Sequence, residues 1–201
     1  MNIVAIKPQY GVTYKQGYVF FTNTGDFVSN GVAYFESWRR MGDIKVSHVG
    51  IVTGDNEGVE AHIKTGVARC KLDKYVGGKN KIFFRKPRYW SPDMGARIAD
   101  AAEAQIGQAY DTSLIVGRFL AGTKLGALLN RITRGAVDRY VSKLFDAEYK
   151  KICSETAAFS LSIQPELEGL GCLAAPHRTI DPQVMFEDDV IFEPWKHQLK
   201  T

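Results

Sequence analysis

An α+β fold, a small antiparallel sheet with helices packed on it, is what this sequence predicts, and three observations predict it. Before about residue 90, short runs of β-branched and aromatic residues alternate with turn-forming chemistry. From Ser91 onward apolar residues recur instead at helical spacing, so strands and helices are segregated along the chain. At 201 residues, 45% hydrophobic and 24% charged, the chain can bury one real core, which predicts a single domain over 1–201.

Each element follows from its own signals. Tyr18-Val19-Phe20-Phe21-Thr22 reads as a strand and stops at the turn formers Asn23-Thr24-Gly25-Asp26. From Ser29 to about Arg40, Val32, Phe35 and Trp38 recur at helical spacing, with Ser29 or Asn30 as the cap. Val46 to Thr53 is a β-branched, apolar strand. Gly54-Asp55-Asn56-Glu57-Gly58 turns the chain and Val59 to Ile63 returns, which makes a hairpin. Val67 to Leu72 and Lys81 to Arg85 are further strands. Pro92-Asp93 opens a helix through Ile98, Ala102 and Ile106, ended by Gly107. Leu114 to Lys151 is largely helical in pattern, broken at Gly122, Gly126 and Gly135. Its stretch 114–150 is expected to be a helical insertion or cap within the domain. A further helix starts at Cys153 and runs to about Ile163. Pro165 to His177 is loop, Asp181 to Phe186 is one helical turn, and Val190-Ile191-Phe192-Glu193 is expected to be a last strand.

Charge and cysteine usage narrow the function classes. The net charge of +4 is mild, and no basic run is interleaved with aromatics, so nucleic acid is not an expected partner. Cys70, Cys153 and Cys172 form neither a disulfide framework nor a zinc spacing, which favours a reducing compartment. The start, Met1-Asn2-Ile3-Val4-Ala5-Ile6-Lys7-Pro8, does not read as a signal peptide, and no later segment is long enough to span a bilayer. The expected location is cytoplasmic, with release by lysis or with a phage particle as the other route. No cofactor is expected, and a metal site from His48, His62 and Cys153 has no supporting ligand spacing.

Two residues carry the chemistry. Cys153 opens a helix, and unpaired amides at a helix N-terminus stabilise a thiolate and can hold an oxyanion. Taken alone, it reads equally as a buried packing cysteine. His48 stands in the strand Ser47-His48-Val49-Gly50-Ile51-Val52 and can serve as the base for such a thiol, or as a satisfied core histidine. Gly50 shares its face and is expected to leave room for another group to approach the imidazole. A third, orienting group is sought on the returning strand, where Glu60 and His62 lie. They share a face with His48 if the turn around Asp55-Asn56 holds an odd number of residues, and point away from it if the turn is even.

Several short motifs stand in a characteristic order. They are Gly25-Asp26-Phe27, His48-Val49-Gly50-Ile51-Val52, Val59-Glu60-Ala61, Gly66-Val67, Gly107-Gln108-Ala109-Tyr110-Asp111, Cys153-Ser154-Glu155 and Asp181-Pro182. Spanning about 25–194, with His before Cys, the set resembles the permuted papain-like amidases of the YiiX type, distant relatives of NlpC-type cell-wall hydrolases. The resemblance implies a circularly permuted papain-like domain, with Cys153 as nucleophile, His48 as its base and Glu60 as the orienting group. It puts Tyr110 at or near the site, as a pocket wall or oxyanion donor, against the plainer role of a packing aromatic. Glu155 matches the Cys-Ser-Glu motif and is read as a helix cap. The chain departs from the family at Thr156, where an aliphatic residue is usual, in showing no export signal, and in the length of 114–150.

The expected activity is thiol hydrolysis of amide or peptide bonds through an acyl thioester, with cell-wall-derived peptides as first substrate class. A second expectation keeps the thioester but moves or hydrolyses lipid acyl groups, with the basic, apolar span 114–150 meeting an anionic surface. A third is a non-enzymatic binding module. Oligomeric state is not legible in the sequence.

Overall fold

In the computed structural model, residues 8–23, 44–62, 66–76, 81–110, 150–151 and 153–194 are described. Five antiparallel strands form the main sheet in the order β4-β3-β2-β1-β5. They are β1 (Val19–Asn23), β2 (His48–Gly54), β3 (Glu57–His62), β4 (Gly66–Lys71) and β5 (Lys81–Arg85). Among the described residues three helices follow: α1 (Pro92–Glu103), α2 (Cys153–Ser162) and the short α3 (Pro182–Phe186). A second, two-stranded pair joins β6 (Ala109–Tyr110) to β7 (Lys150–Lys151) in parallel. The architecture is therefore α+β. Among the described residues no helix is long and apolar enough to cross a membrane.

Strand alternation divides the main sheet into two faces, both covered. Phe21, Val49, Ile51, Val59, Ala61 and Phe83 point toward the helices. There they pack with Met94, Ile98 and Ala102 of α1 and Ala157, Ala158 and Leu161 of α2. The opposite face carries Phe20, Val52 and Phe84, which pack with Tyr14, Leu72 and Tyr75. This double burial explains why the strands read as apolar runs rather than as a clean alternation. Small residues on α2 let it lie close to the sheet, and Gln105, after α1, ties the two helices together. Its Nε2 donates to the Thr156 carbonyl at 3.2 Å and the Ser160 hydroxyl at 3.0 Å.

The C-terminal end clamps the layers. Asp181 caps α3 by accepting from the Val184 amide at 2.7 Å. Gln183 accepts from the Val46 amide at 2.9 Å and donates to the Ile44 carbonyl at 3.0 Å, fixing the segment that enters β2. Arg85, buried at the end of β5, donates to the Phe186 carbonyl at 2.8 Å, to Asp189 at 2.7 Å and to the Glu193 carbonyl at 3.1 Å.

Several boundaries differ from expectation. The helix expected to reach Ile106 ends at Glu103, and turns carry the chain to Gly107 at φ +90°. The loop expected over 165–177 contains a 3-10 turn at Gly171–Ala174, with another at His177–Thr179. Lys150–Lys151, expected as the end of a helical stretch, is extended. Val190 to Glu193 is not a strand but makes a single bridge, Phe192 to Pro87. The cause is Asp188, whose carboxylate takes the Val190 and Ile191 amides at 2.7 and 3.3 Å, donors a strand would offer to a neighbour. The expected helix at 29–40 and nearly all of the 114–150 span lie outside the described residues.

Candidate active site

The register of the β2–β3 hairpin decides whether His48 and Glu60 can meet. Gly54 pairs with Glu57 around the two-residue turn Asp55-Asn56, with Asn56 in the left-handed region at φ 53°. Beyond it the register shifts between Val52 and Gly54, a β-bulge at Thr53, so that Val52 faces Gly58 and Gly50 faces Glu60. The turn itself is even, so the expected odd turn is not what joins the strands; the bulge restores the parity instead, leaving five residues between the paired Val52 and Gly58. Had the strands run straight from the turn, Glu60 would have faced Ile51 on the helix side.

Glu60 is buried, and four donors reach its carboxylate, one of them the Cys70 thiol. His48 Nε2 donates to Oε2 at 2.9 Å, the Tyr75 hydroxyl donates to the same oxygen at 2.6 Å, and Lys74 Nζ donates to Oε1 at 2.5 Å. Burial on its own would raise the Glu60 pKa. Hydrogen bonds and charge from His48, then the bonds from Lys74 and Tyr75, reverse this and bring it from 4.5 to about 2. Tyr75 is held well above its ordinary value of 10, first by burial and then by the Glu60 charge, so it stays a donor.

Cys153 is the first residue of α2 and is buried in the helix-side core. His48 stands first in β2, where the strand begins, and its ring is hydrogen-bonded to the Cys153 side chain. With Nε2 engaged by Glu60, Nδ1 is the ring nitrogen left for the thiol. Burial on its own would lower the imidazole pKa. The charge and hydrogen bond of Cys153, then those of Glu60, raise it from 6.5 to about 10. The imidazole is thus held protonated between the Cys153 sulfur and the Glu60 carboxylate. Ser154 anchors the start of α2 by donating to the Ile180 carbonyl at 2.5 Å.

The other two thiols behave differently. Burial, then the Glu60 charge, pushes Cys70 up to about 12. Burial, then Asp188, pushes Cys172 well above 9. Both are held as neutral thiols, which are poor nucleophiles.

Of the residues singled out in the sequence, Cys153, His48 and Glu60 are brought together. The backbone of Tyr110 pairs with Lys151, two residues before Cys153, so the strand carrying it runs beside the entry to α2. Its side chain lies outside the described residues. Gly50 leaves room that another side chain, Phe20, occupies. A Cβ there would lie 2.4 Å from Phe20 Cζ and 2.6 Å from the Val59 carbonyl oxygen, so the Phe20 ring fills that room. His62 ends β3 and is exposed. Among the described residues no group of three or more His, Cys, Asp or Glu is placed to hold a metal ion.

Sequence reasoning missed Lys74 and Tyr75. They lie on the 3-10 turn Leu72–Tyr75 that follows β4. Their meeting with Glu60 depends on the β3–β4 pairing, which puts Ala68 across from Glu60. No local motif announces it. No protein-family model, curated protein or solved structure matches this chain.

Proposed function

We propose that this chain is a thiol hydrolase of amide bonds, built as a circularly permuted papain-like domain. The single observation that carries the reading is the continuous chain of contacts from Glu60 through His48 to Cys153 at the head of α2. Such an arrangement holds a thiolate against an imidazolium and fixes the imidazole through its far nitrogen. Nearby amides of the α2 N-terminus add to thiolate stabilisation.

In this reading the Cys153 thiolate attacks the substrate carbonyl carbon and forms the C–S bond. The amide of Cys153 receives the oxyanion. Collapse of the tetrahedral adduct breaks the C–N bond, and the His48 imidazolium gives its proton to the leaving amine. Water, deprotonated by His48, then attacks the thioester carbonyl and releases the acid and the Cys153 sulfur. Glu60 keeps the imidazole oriented and stabilises its charged form throughout. Amide bonds of cell-wall-derived peptides are the substrate class put forward, on the resemblance of the ordered motifs. A lipid acyl substrate would use the same thioester chemistry, but no observation at the site favours it.

The test is the alkylation rate of Cys153 by iodoacetamide from pH 4 to 9, located by peptide mass mapping, in the wild type and His48→Ala. An unperturbed thiol titrates near ~8.5. The reading expects fast labelling that persists far below that pH and disappears in His48→Ala. Slow labelling with an ordinary thiol profile in both proteins would overturn it and make Cys153 a packing residue.

A further inference from the structure

Glu60 is an unusual orienting group, because the imidazole is only one of its four donors, the Cys70 thiol being another. Lys74 occupies Oε1, while Tyr75 shares Oε2 with His48. Both donors come from one turn, Leu72–Tyr75. The turn is held in place independently of the site: the Leu72 amide donates to the Asn56 carbonyl at 3.1 Å, and the Asp73 amide donates to Asn56 Oδ1 at 2.8 Å. The Tyr75 ring is buried and packs against Phe20 at 6.0 Å between centroids, and the Lys74 ammonium lies 4.7 Å above that ring. In the hydrolase reading the charges alternate outward from the sulfur: Cys153 negative, His48 positive, Glu60 negative, Lys74 positive. Each charge stabilises the next, and the low-dielectric surroundings strengthen every step except at Lys74, whose side chain is 43% exposed.

We propose that Lys74 and Tyr75 are positioning residues of the hydrolase site: by holding both oxygens of the Glu60 carboxylate, they fix how far into acid the Cys153 thiolate survives. The inference rests on the hydrolase reading. A carboxylate gripped at one oxygen only is free to rotate away from Nε2. A carboxylate with fewer donors also takes up a proton more readily, and once neutral it no longer supports the imidazolium that supports the thiolate. The titratable groups facing this carboxylate are His48 on β2, Cys70 on β4, and Lys74 and Tyr75 on the turn, with Cys153 of α2 beyond the imidazole. Cys70 is held as a neutral thiol across the range that matters.

The experiment uses the full chain and iodoacetamide as the probe, with the Cys153 alkylation rate followed from pH 3 to 9. The variants are Tyr75→Phe, Lys74→Met, Lys74→Arg and His48→Ala. Tyr75→Phe keeps the buried ring and removes only the hydroxyl, so it spares the core. Loss of a donor to a charged group is expected to move the acid limb of Cys153 reactivity up by about one pH unit in Tyr75→Phe. Lys74→Met moves it the same way, and by less, because that donor is partly in water. Lys74→Arg restores the wild-type limb. Cys172 labelling, read in the same digests, stays constant, whereas general loosening of the fold would raise it. If the limb stays put in Tyr75→Phe and Lys74→Met while His48→Ala abolishes fast labelling, the positioning role is wrong and the hydrolase reading stands. If His48→Ala changes nothing, both fall together.

Discussion

Replacing Glu60 with Gln removes one charge from the middle of the site and keeps the side chain's size, so it isolates what that charge does for the fold. The Glu60 pKa lies at about 2 against an ordinary 4.5, a difference equivalent to about 3 kcal/mol of native-state stability. The group is depressed, so this stability is fully present above pH 4.5 and is lost as pH falls from 4.5 toward 2. His48 has the opposite sense. It is raised from 6.5 to about 10, so its contribution is fully present below pH 6.5 and is lost as pH climbs from 6.5 toward 10. The His48–Glu60 part of these two shifts is one ion pair seen from its two ends, so they do not add. Chemical denaturation of wild type and Glu60→Gln at matched pH values gives the difference curve, from which the other carboxylates largely cancel. The difference is expected to be bell-shaped, greatest between pH 4.5 and 6.5 and shrinking toward both ends. A difference that stays flat from pH 2.5 to 9 would refute the paired, buried Glu60 and with it the electrostatic account of the site.

Gly50→Ala is expected to cost about 2–3 kcal/mol in urea denaturation, because the new methyl meets both the Phe20 ring and the Val59 carbonyl oxygen. Adding Phe20→Leu recovers only part of that, since the carbonyl cannot retreat; full recovery would show the ring to be the sole obstacle. Arg85→Met keeps an apolar stem over the Phe186 and Phe192 rings but removes donors to two carbonyls and to Asp189, so a loss of about 2–4 kcal/mol in the same assay is expected. A loss below about 0.5 kcal/mol, the usual range for surface changes, would mean the C-terminal segment is held by packing alone.

What was legible in the sequence was whatever local chemistry decides. Lys81 to Arg85 was readable residue by residue, because a β-branched and aromatic run lies between the turn-forming residue types of Gly77-Gly78-Lys79-Asn80 and Pro87. The head of α2 was readable from Cys153-Ser154-Glu155 followed by small residues at helical spacing. The joining of His48 to Glu60 was legible only as a condition, because a bulge leaves no mark at Thr53 that differs from an ordinary strand residue. Val190 to Glu193 misled because its apolar pattern is real, while the fate of its amides is set by Asp188. Lys74 and Tyr75 were out of reach because their role exists only once β4 has paired with β3. Residues whose meaning depends on a partner distant in sequence are those that periodicity cannot find.

The bulge at Thr53 also says something about which changes this hairpin can survive. A sheet assigns each side chain to one of two sides, and an irregularity in a strand is ordinarily the point where that assignment is most at risk. Here the relation is inverted. A chain that lost Thr53 would close a plain two-residue hairpin around Asp55-Asn56 and would still set Gly50 against Glu60, leaving the imidazole and the carboxylate on one side. A chain that kept Thr53 but drew it into the ladder would send Glu60 to the far side, a charge buried among the apolar residues beneath α2. The site tolerates shortening at this point and does not tolerate regularity.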